Sequence, residues 1–226
     1  METANQSAGI AVVGNGYWGK NHVRNFHALG ALRVVCDRDE DRLRAAVKEY
    51  PGVGAERNLA SVLARPDVQG IVLATPAETH HRLARECLAA GKDVLVEKPL
   101  ALRASDGEDL VRLAESGGRI LMVGHILEFH PAIRKLHELV QTGTLGNIRY
   151  AYSNRLNLGK VRREENILWS FAPHDVAILL RLLGEQPETV AAMGGNYLHP
   201  SIADMTVSTF VFPSGVRAHI HVSWLH

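Results

Sequence analysis

The chain places Gly14-Asn15-Gly16-Tyr17-Trp18-Gly19 directly after the apolar run Ile10-Ala11-Val12-Val13. An acid, Asp37, follows at the end of a second apolar run, Leu32-Arg33-Val34-Val35-Cys36. A strand, a glycine-rich turn, a helix, a strand and an acid in that order are the pattern of a dinucleotide site. Gly14 permits the tight turn and Gly16 lets backbone approach a pyrophosphate. Gly19 lets the new helix pack closely on the strand, with its free N–H groups and dipole toward the phosphates. The turn residues Asn15, Tyr17 and Trp18 are expected to border the same ligand.

Asp37 lies 18 residues beyond Gly19, where a carboxylate accepts hydrogen bonds from both ribose hydroxyls and repels a 2'-phosphate. NAD is therefore the expected cofactor. Arg38 follows at once and suits a 2'-phosphate, which leaves NADP as the second choice.

The 226 residues suffice for two domains of about 100 residues each. Twenty-five basic and 24 acidic residues leave a formal charge of +1 without a block of one sign, so neither nucleic acid nor an anionic membrane is expected as partner. Cys36 and Cys87 form no CxxC and no disulfide framework, which fits a reducing cytoplasm. No stretch approaches the roughly 18 apolar residues of a membrane span. Residues 1–8 lack the basic-then-apolar order of a signal peptide and read as a loose leader.

Through residues 9–124 apolar runs alternate with helical patterns, the mark of a parallel sheet with crossover helices. Strands are predicted at 9–13, 32–36, 70–74, 93–96 and 119–123, with a weaker one near Val53 to Glu56. Asp39 is expected to cap one helix, and Ser105-Asp106-Gly107-Glu108 reads as a capping box opening another. From 125 to 226 the pattern changes to a helix at 131–141, a helix at 174–183 and strands at 147–156, 189–198, 204–212 and 216–225. Val216, Ala218, Ile220, Val222 and Trp224 alternate with Arg217, His219, His221 and Ser223, as in a mostly antiparallel sheet with one covered face. The fold class is thus α/β: a Rossmann domain followed by an α+β substrate and oligomerisation domain. His226 ends the chain in strand pattern without a turn, so this second domain is expected to be incomplete.

Val94-Leu95-Val96-Glu97-Lys98-Pro99 sets a lysine where a buried strand gives out, at the carboxyl edge where open α/β sheets bind ligands. Pro99 turns the chain away and leaves Lys98 at the rim beside Glu97. An amine there can relay a proton or polarise an alcohol oxygen.

Glu97-Lys98-Pro99 after the glycine turn, Thr75-Pro76 with His80 four residues on, Gly124-His125, and Ala172-Pro173-His174-Asp175 before an apolar helix together resemble the glucose-fructose oxidoreductase, inositol dehydrogenase and rhizopine catabolism (Gfo/Idh/MocA) family. The resemblance implies a Rossmann domain and a second domain whose open sheet makes oligomer contacts, giving a homo-oligomer, dimer or tetramer, when full length. It implies that Lys98 and His174 transfer the proton while hydride moves between the nicotinamide and a sugar or cyclitol carbon. It also implies that Thr75, Pro76, His80, Glu97, Lys98 and His125 border the cofactor. His174 is read as lying at a helix start, where the dipole favours a neutral, proton-accepting ring.

Many members carry an acid four residues before that histidine and another three after it, where this chain has Ser170 and Ala177. Asp175 is the nearest acid in sequence. The stretch from Asn154 to Ser170 looks more like members that oxidise UDP-N-acetyl sugars at C3. Its cations and amides, among them Arg155, Lys160, Arg163 and Asn166, suit a diphosphate and sugar hydroxyls, with Lys98, Ser170, His174 and Asp175 completing the substrate site. His80-His81, and His219 with His221, lack an acid or cysteine at ligand spacing, so no metal is expected. Two other functions are weighed: a general sugar or cyclitol dehydrogenase, and a non-catalytic cofactor-binding regulator, for which Lys98 and His174 together would serve no purpose.

Overall fold

The computed structural model describes residues 8–158, 161–162 and 165–226, which fall into two compact units, Met1–Gly124 and His125–His226. The leader, apart from Ala8, lies outside the described residues, as do Lys160 and Arg163.

The first unit is built on β1 (Ile10–Val13), β2 (Leu32–Cys36), β3 (Gly54–Glu56), β4 (Gly70–Leu73), β5 (Asp93–Val96) and β6 (Leu121–Val123). They form one sheet in the order β3-β2-β1-β4-β5-β6, with every pairing parallel. The order reverses between β1 and β4, the switch point where such sheets bind ligands. Crossovers are made by α1 (Gly19–Ala28), α2 (Glu40–Glu49), α3 (Leu59–Leu63), α4 (His80–Ala89) and α5 (Ala104–Gly117).

Successive strand residues face opposite sides, and each side carries its own core. Val12 and Val35 join Val23 of α1 and Leu43 of α2. Ala11, Val13, Val34 and Leu73 join Ala84 of α4 and Leu110 of α5. Cys36 and Cys87 are buried in this second core. Burial, with the charges of Asp37 and Glu56 near one and Glu86 near the other, pushes both thiols up to about 12.

Asp39 caps α2, its Oδ1 accepting the Asp41 N–H at 2.9 Å and the Arg42 N–H at 3.2 Å. The expected capping box on α5 does not form: the N-cap is Arg103, so Ser105 already lies inside the first turn.

In the second unit, α6 (Pro131–Gln141) precedes β7 (Tyr150–Leu156), α7 (Ile167–Leu183), β8 (Thr189–Gly195), β9 (Met205–Val211) and β10 (Arg217–Ser223). The sheet order is β7-β10-β9-β8, antiparallel except for the parallel pair β7 and β10. One face is covered by α7: Ile167, Ala172 and Leu179 join Phe210, Ala218, Ile220, Val222 and Trp224. On the other face Tyr150 and Tyr152 stack at 6.4 Å and stay exposed. No described helix is long and apolar enough to cross a membrane.

The second helix of this unit begins earlier than the sequence suggests. Asn166 is its N-cap, its Oδ1 accepting the Trp169 N–H at 3.1 Å, and Pro173 lies inside the helix. His174 is therefore about two turns in rather than at the start, and the dipole argument for its neutral ring lapses. Proline favours a first turn and is costly in the interior, where Pro173 nonetheless lies, which is why it misleads.

Candidate active site

Residues on three strand ends of the first unit build the glycine turn. Gly14 has φ +92°, and a Cβ there would meet Ala74 O at 2.6 Å and Thr75 Cγ2 at 3.1 Å, so the turn is pressed against the end of β4. A Cβ on Gly19 would sit 1.8 Å from Gly14 O; only glycine lets α1 start this close to the strand. Trp18, the N-cap of α1, offers no side-chain hydrogen bond, and the first turn carries no acid. Among the described residues no N-cap side chain competes for this helix start, although the Lys20 and Asn21 N–H groups already donate to Gly16 O and Trp18 O. Tyr17 and Trp18 project outward, their rings edge-to-face at 6.2 Å.

Asp37 closes the turn from β2. Its Oδ2 accepts the Asn15 N–H at 2.7 Å and its Oδ1 the Asp39 N–H at 2.9 Å. A carboxylate has about four acceptor positions, so capacity remains for ribose hydroxyls. The cation beside it is Arg42 of α2, with Nη1 at 3.6 Å from Oδ2, a residue the sequence did not single out. Arg38 is exposed.

A recess of about 420 Å³ opens here, lined by Asn15, Gly16, Tyr17, Lys20, Asn21 and Arg42. A Cβ on Gly16 would meet nothing nearer than Arg42 Nη1 at 3.7 Å, and Asn15 Oδ1 is buried with no hydrogen-bond partner among the described residues. A glycine with room above it, an uncapped helix start and an unspent acceptor all fit a dinucleotide diphosphate and its ribose. Bound there, the nicotinamide nucleotide supplies the hydride acceptor or donor.

Two strands along the sheet, β5 ends in Glu97-Lys98-Pro99, with a cis peptide bond between Lys98 and Pro99. Lys98 is half-buried, while Glu97 is buried and bonded through Oε1 to His22 Nε2 at 2.7 Å. Burial pushes the Glu97 carboxyl up, but the His22 bond, the Lys98 N–H and the Lys98 charge outweigh it and hold it below its usual value. His22 escaped the sequence reading because its partner is 75 residues away. Thr75 Oγ1 bonds to Thr79 Oγ1 at 2.7 Å, and Pro76 O accepts from Thr79. His80, expected to border the cofactor, is 1% exposed with both ring nitrogens against backbone carbonyls.

Within the second unit, the His125 and His174 rings meet edge-to-face at 6.1 Å. Asp175 does not stand free: Arg155 Nε donates to its Oδ2 at 2.7 Å, Arg155 Nη2 to Oδ1 at 3.2 Å, and Ser153 Oγ to Oδ1 at 2.7 Å. Arg155 and Asp175, both expected at the substrate, thus spend much of their capacity on joining β7 to α7. Asn166 is used as the helix cap, and Ser170 is buried within α7.

A 3-2-1-4-5-6 parallel sheet with this turn and acid defines a dinucleotide-binding Rossmann protein. Residues 8–125 match the oxidoreductase family with an NAD-binding Rossmann fold, and residues 133–226 match the GFO/IDH/MocA C-terminal domain. The chain belongs to the GFO/IDH/MocA oxidoreductase family.

Among curated relatives, 2,7-anhydro-N-acetylneuraminate hydratase of Mediterraneibacter gnavus is 28% identical over 86% of this chain and 54% of its own length. UDP-N-acetylglucosamine 3-dehydrogenase of Acidithiobacillus ferrooxidans is 30% identical over 94% of this chain and 66% of its own. Inositol 2-dehydrogenase of Rhodococcus erythropolis is 31% identical over 97% and 66%. The chain therefore spans between 54% and 66% of these relatives' length. Of solved structures, GenD2 from gentamicin A biosynthesis, in complex with NAD, superposes with a TM-score of 0.92 at 27% identity, over 98% of this chain and 67% of that one. The WlbA dehydrogenase of Chromobacterium violaceum, in complex with NADH and UDP-GlcNAcA, gives 0.90 at 25%, over 98% and 68%.

Proposed function

We propose that the protein transfers hydride between NAD and a secondary alcohol of a sugar, at C3 of a UDP-N-acetyl amino sugar. The observation that carries the oxidoreductase reading is the placement of Lys98 at the carboxyl end of β5, on the same sheet edge as the glycine turn and Asp37. That edge is where a nicotinamide reaches its substrate in such sheets. Lys98 then polarises the alcohol oxygen and His174 takes its proton, the roles the family resemblance implies for them.

The nucleotide-sugar substrate is supported by the UDP-N-acetylglucosamine 3-dehydrogenase relative and by the WlbA complex. A second reading, a cyclitol dehydrogenase, is favoured by the equally similar inositol 2-dehydrogenase. The missing acids at Ser170 and Ala177, with Asp175 already bound by Arg155, weigh against it. The exposed Tyr150 and Tyr152 face supports a homo-oligomer, which sedimentation would measure.

The test is to incubate the protein with NAD and a panel of UDP-sugars, myo-inositol and glucose, following reduced cofactor at its absorbance band. Reduction with UDP-N-acetylglucosamine or its uronate, and silence on myo-inositol and glucose, is the expected result. The reverse pattern would assign the cyclitol reading.

A further inference from the structure

The turn that carries Lys98 is gripped from two sides by histidines of different helices. On one side, His22 of α1 bonds Glu97 Oε1 at 2.7 Å, and Glu97 Oε2 accepts the Lys98 N–H at 3.3 Å. The carboxylate lies against Gly124, where a Cβ would stand 3.1 Å from both the carboxyl carbon and Oε2. The end of β6 has no side chain, and the charged group occupies that space.

On the other side, His80, the first residue of α4, presents Nδ1 to Pro99 O at 2.7 Å and Nε2 to Thr75 O at 2.9 Å. Carbonyl oxygens only accept, and a neutral imidazole has one N–H. At least one contact is therefore a donated N–H hydrogen bond, and the ring is held between the two carbonyls in a site that is 1% exposed.

We propose that His80 joins the Thr75 and Pro99 turns through its two ring nitrogens, and that His80 and His22 together are positioning residues for Lys98. The ring ties the end of β4, which packs on Gly14, to the far side of the lysine. His22 ties the lysine's near side to the helix that begins at the glycine turn. The turn that contacts the dinucleotide and the turn that presents the amine are thereby one braced unit. The consequence for turnover rests on the catalytic reading of Lys98; the bracing does not.

Two measurements test the two parts. In His80→Ala, amide exchange at Lys98 is expected to rise about tenfold while Val12 in β1 keeps its rate; an unchanged rate at Lys98, or equal acceleration at Val12, overturns the His80 brace. In His22→Ala, amide exchange at Lys98 is expected to rise about tenfold while Val12 in β1 keeps its rate, with recovery in His22→Gln, which restores an amide donor to Glu97. Equal acceleration at Val12, or no recovery, overturns the positioning role. With whichever substrate the panel identifies, kcat in His22→Ala should fall between about tenfold and 10²-fold, the size of a small misplacement, with KM for NAD nearly unchanged. Lost protection at Lys98 with undiminished kcat overturns its role in turnover. A panel that identifies no substrate counts against the proposed function alone, since the exchange rates still decide the bracing.

Discussion

Arg42 Nη1 stands 3.6 Å from Asp37 Oδ2, the same oxygen that accepts the Asn15 N–H at 2.7 Å. One carboxylate therefore holds the glycine turn, offers acceptors to a ribose and partly neutralises a guanidinium. Asp37→Ala is expected to lower NAD affinity by about tenfold to a hundredfold, the worth of a charge-assisted hydrogen bond. It should also narrow the preference over NADP, because Arg42 would face a 2'-phosphate without its acid. Arg42→Ala should weaken NADP more than NAD. Calorimetric titration of both cofactors checks this; comparable dissociation constants in the unmodified protein would refute the assignment.

Lys98→Ala and His174→Ala are each expected to reduce kcat by about 10²- to 10⁴-fold with NAD binding nearly intact, and the double variant should lose little more. Single-turnover measurements at saturating cofactor separate the effects. If His174→Ala keeps more than about a tenth of the original rate, the base lies elsewhere.

Glu97 gives the first unit a defined acid dependence. Its carboxyl is held below the ordinary value of 4.5 by His22, the Lys98 N–H and the Lys98 charge, against the opposing effect of burial. A group with a depressed folded value contributes stability above its unfolded value and loses it as pH falls through the folded one. Urea midpoints should therefore fall more steeply for the unmodified protein than for Glu97→Gln between about pH 5 and about pH 2. Parallel curves would show that the carboxylate contributes nothing.

Asp175 holds β7 to α7 through Arg155 and Ser153. Asp175→Ala leaves a guanidinium and a hydroxyl without their acceptor, at a cost of about 1–3 kcal/mol. A lowered thermal midpoint is expected, and Ser153→Ala should lose less. If Asp175→Ala instead raises KM for the sugar nucleotide at unchanged midpoint, the carboxylate binds substrate.

Local signals carried the sequence reading well. The turn at Gly14, the cap at Asp39 and the burial of Val216, Ala218, Ile220, Val222 and Trp224 each depend on neighbours a few residues apart, and each stands where its pattern implied, although Ser223, expected on the open face, is buried as well. What the sequence hid depends on partners far along the chain. The His22 and Glu97 pair spans 75 residues, His80 and Pro99 span 19, and Arg155 and Asp175 span 20. The start of α7 was obscured for another reason. Proline prefers a first turn, so Pro173 marks a start that the structure instead sets at the Asn166 cap, with the proline kept inside the helix.

The two thiols have a practical use. Thiolate, not thiol, attacks alkylating reagents, and Cys36 and Cys87 are both buried and held at about 12. The folded chain is therefore a silent background for cysteine chemistry. A single cysteine introduced at exposed Tyr17 would take up a fluorophore at the mouth of the recess. Label appearing on Cys36 or Cys87 would in turn count the molecules whose first unit has come open.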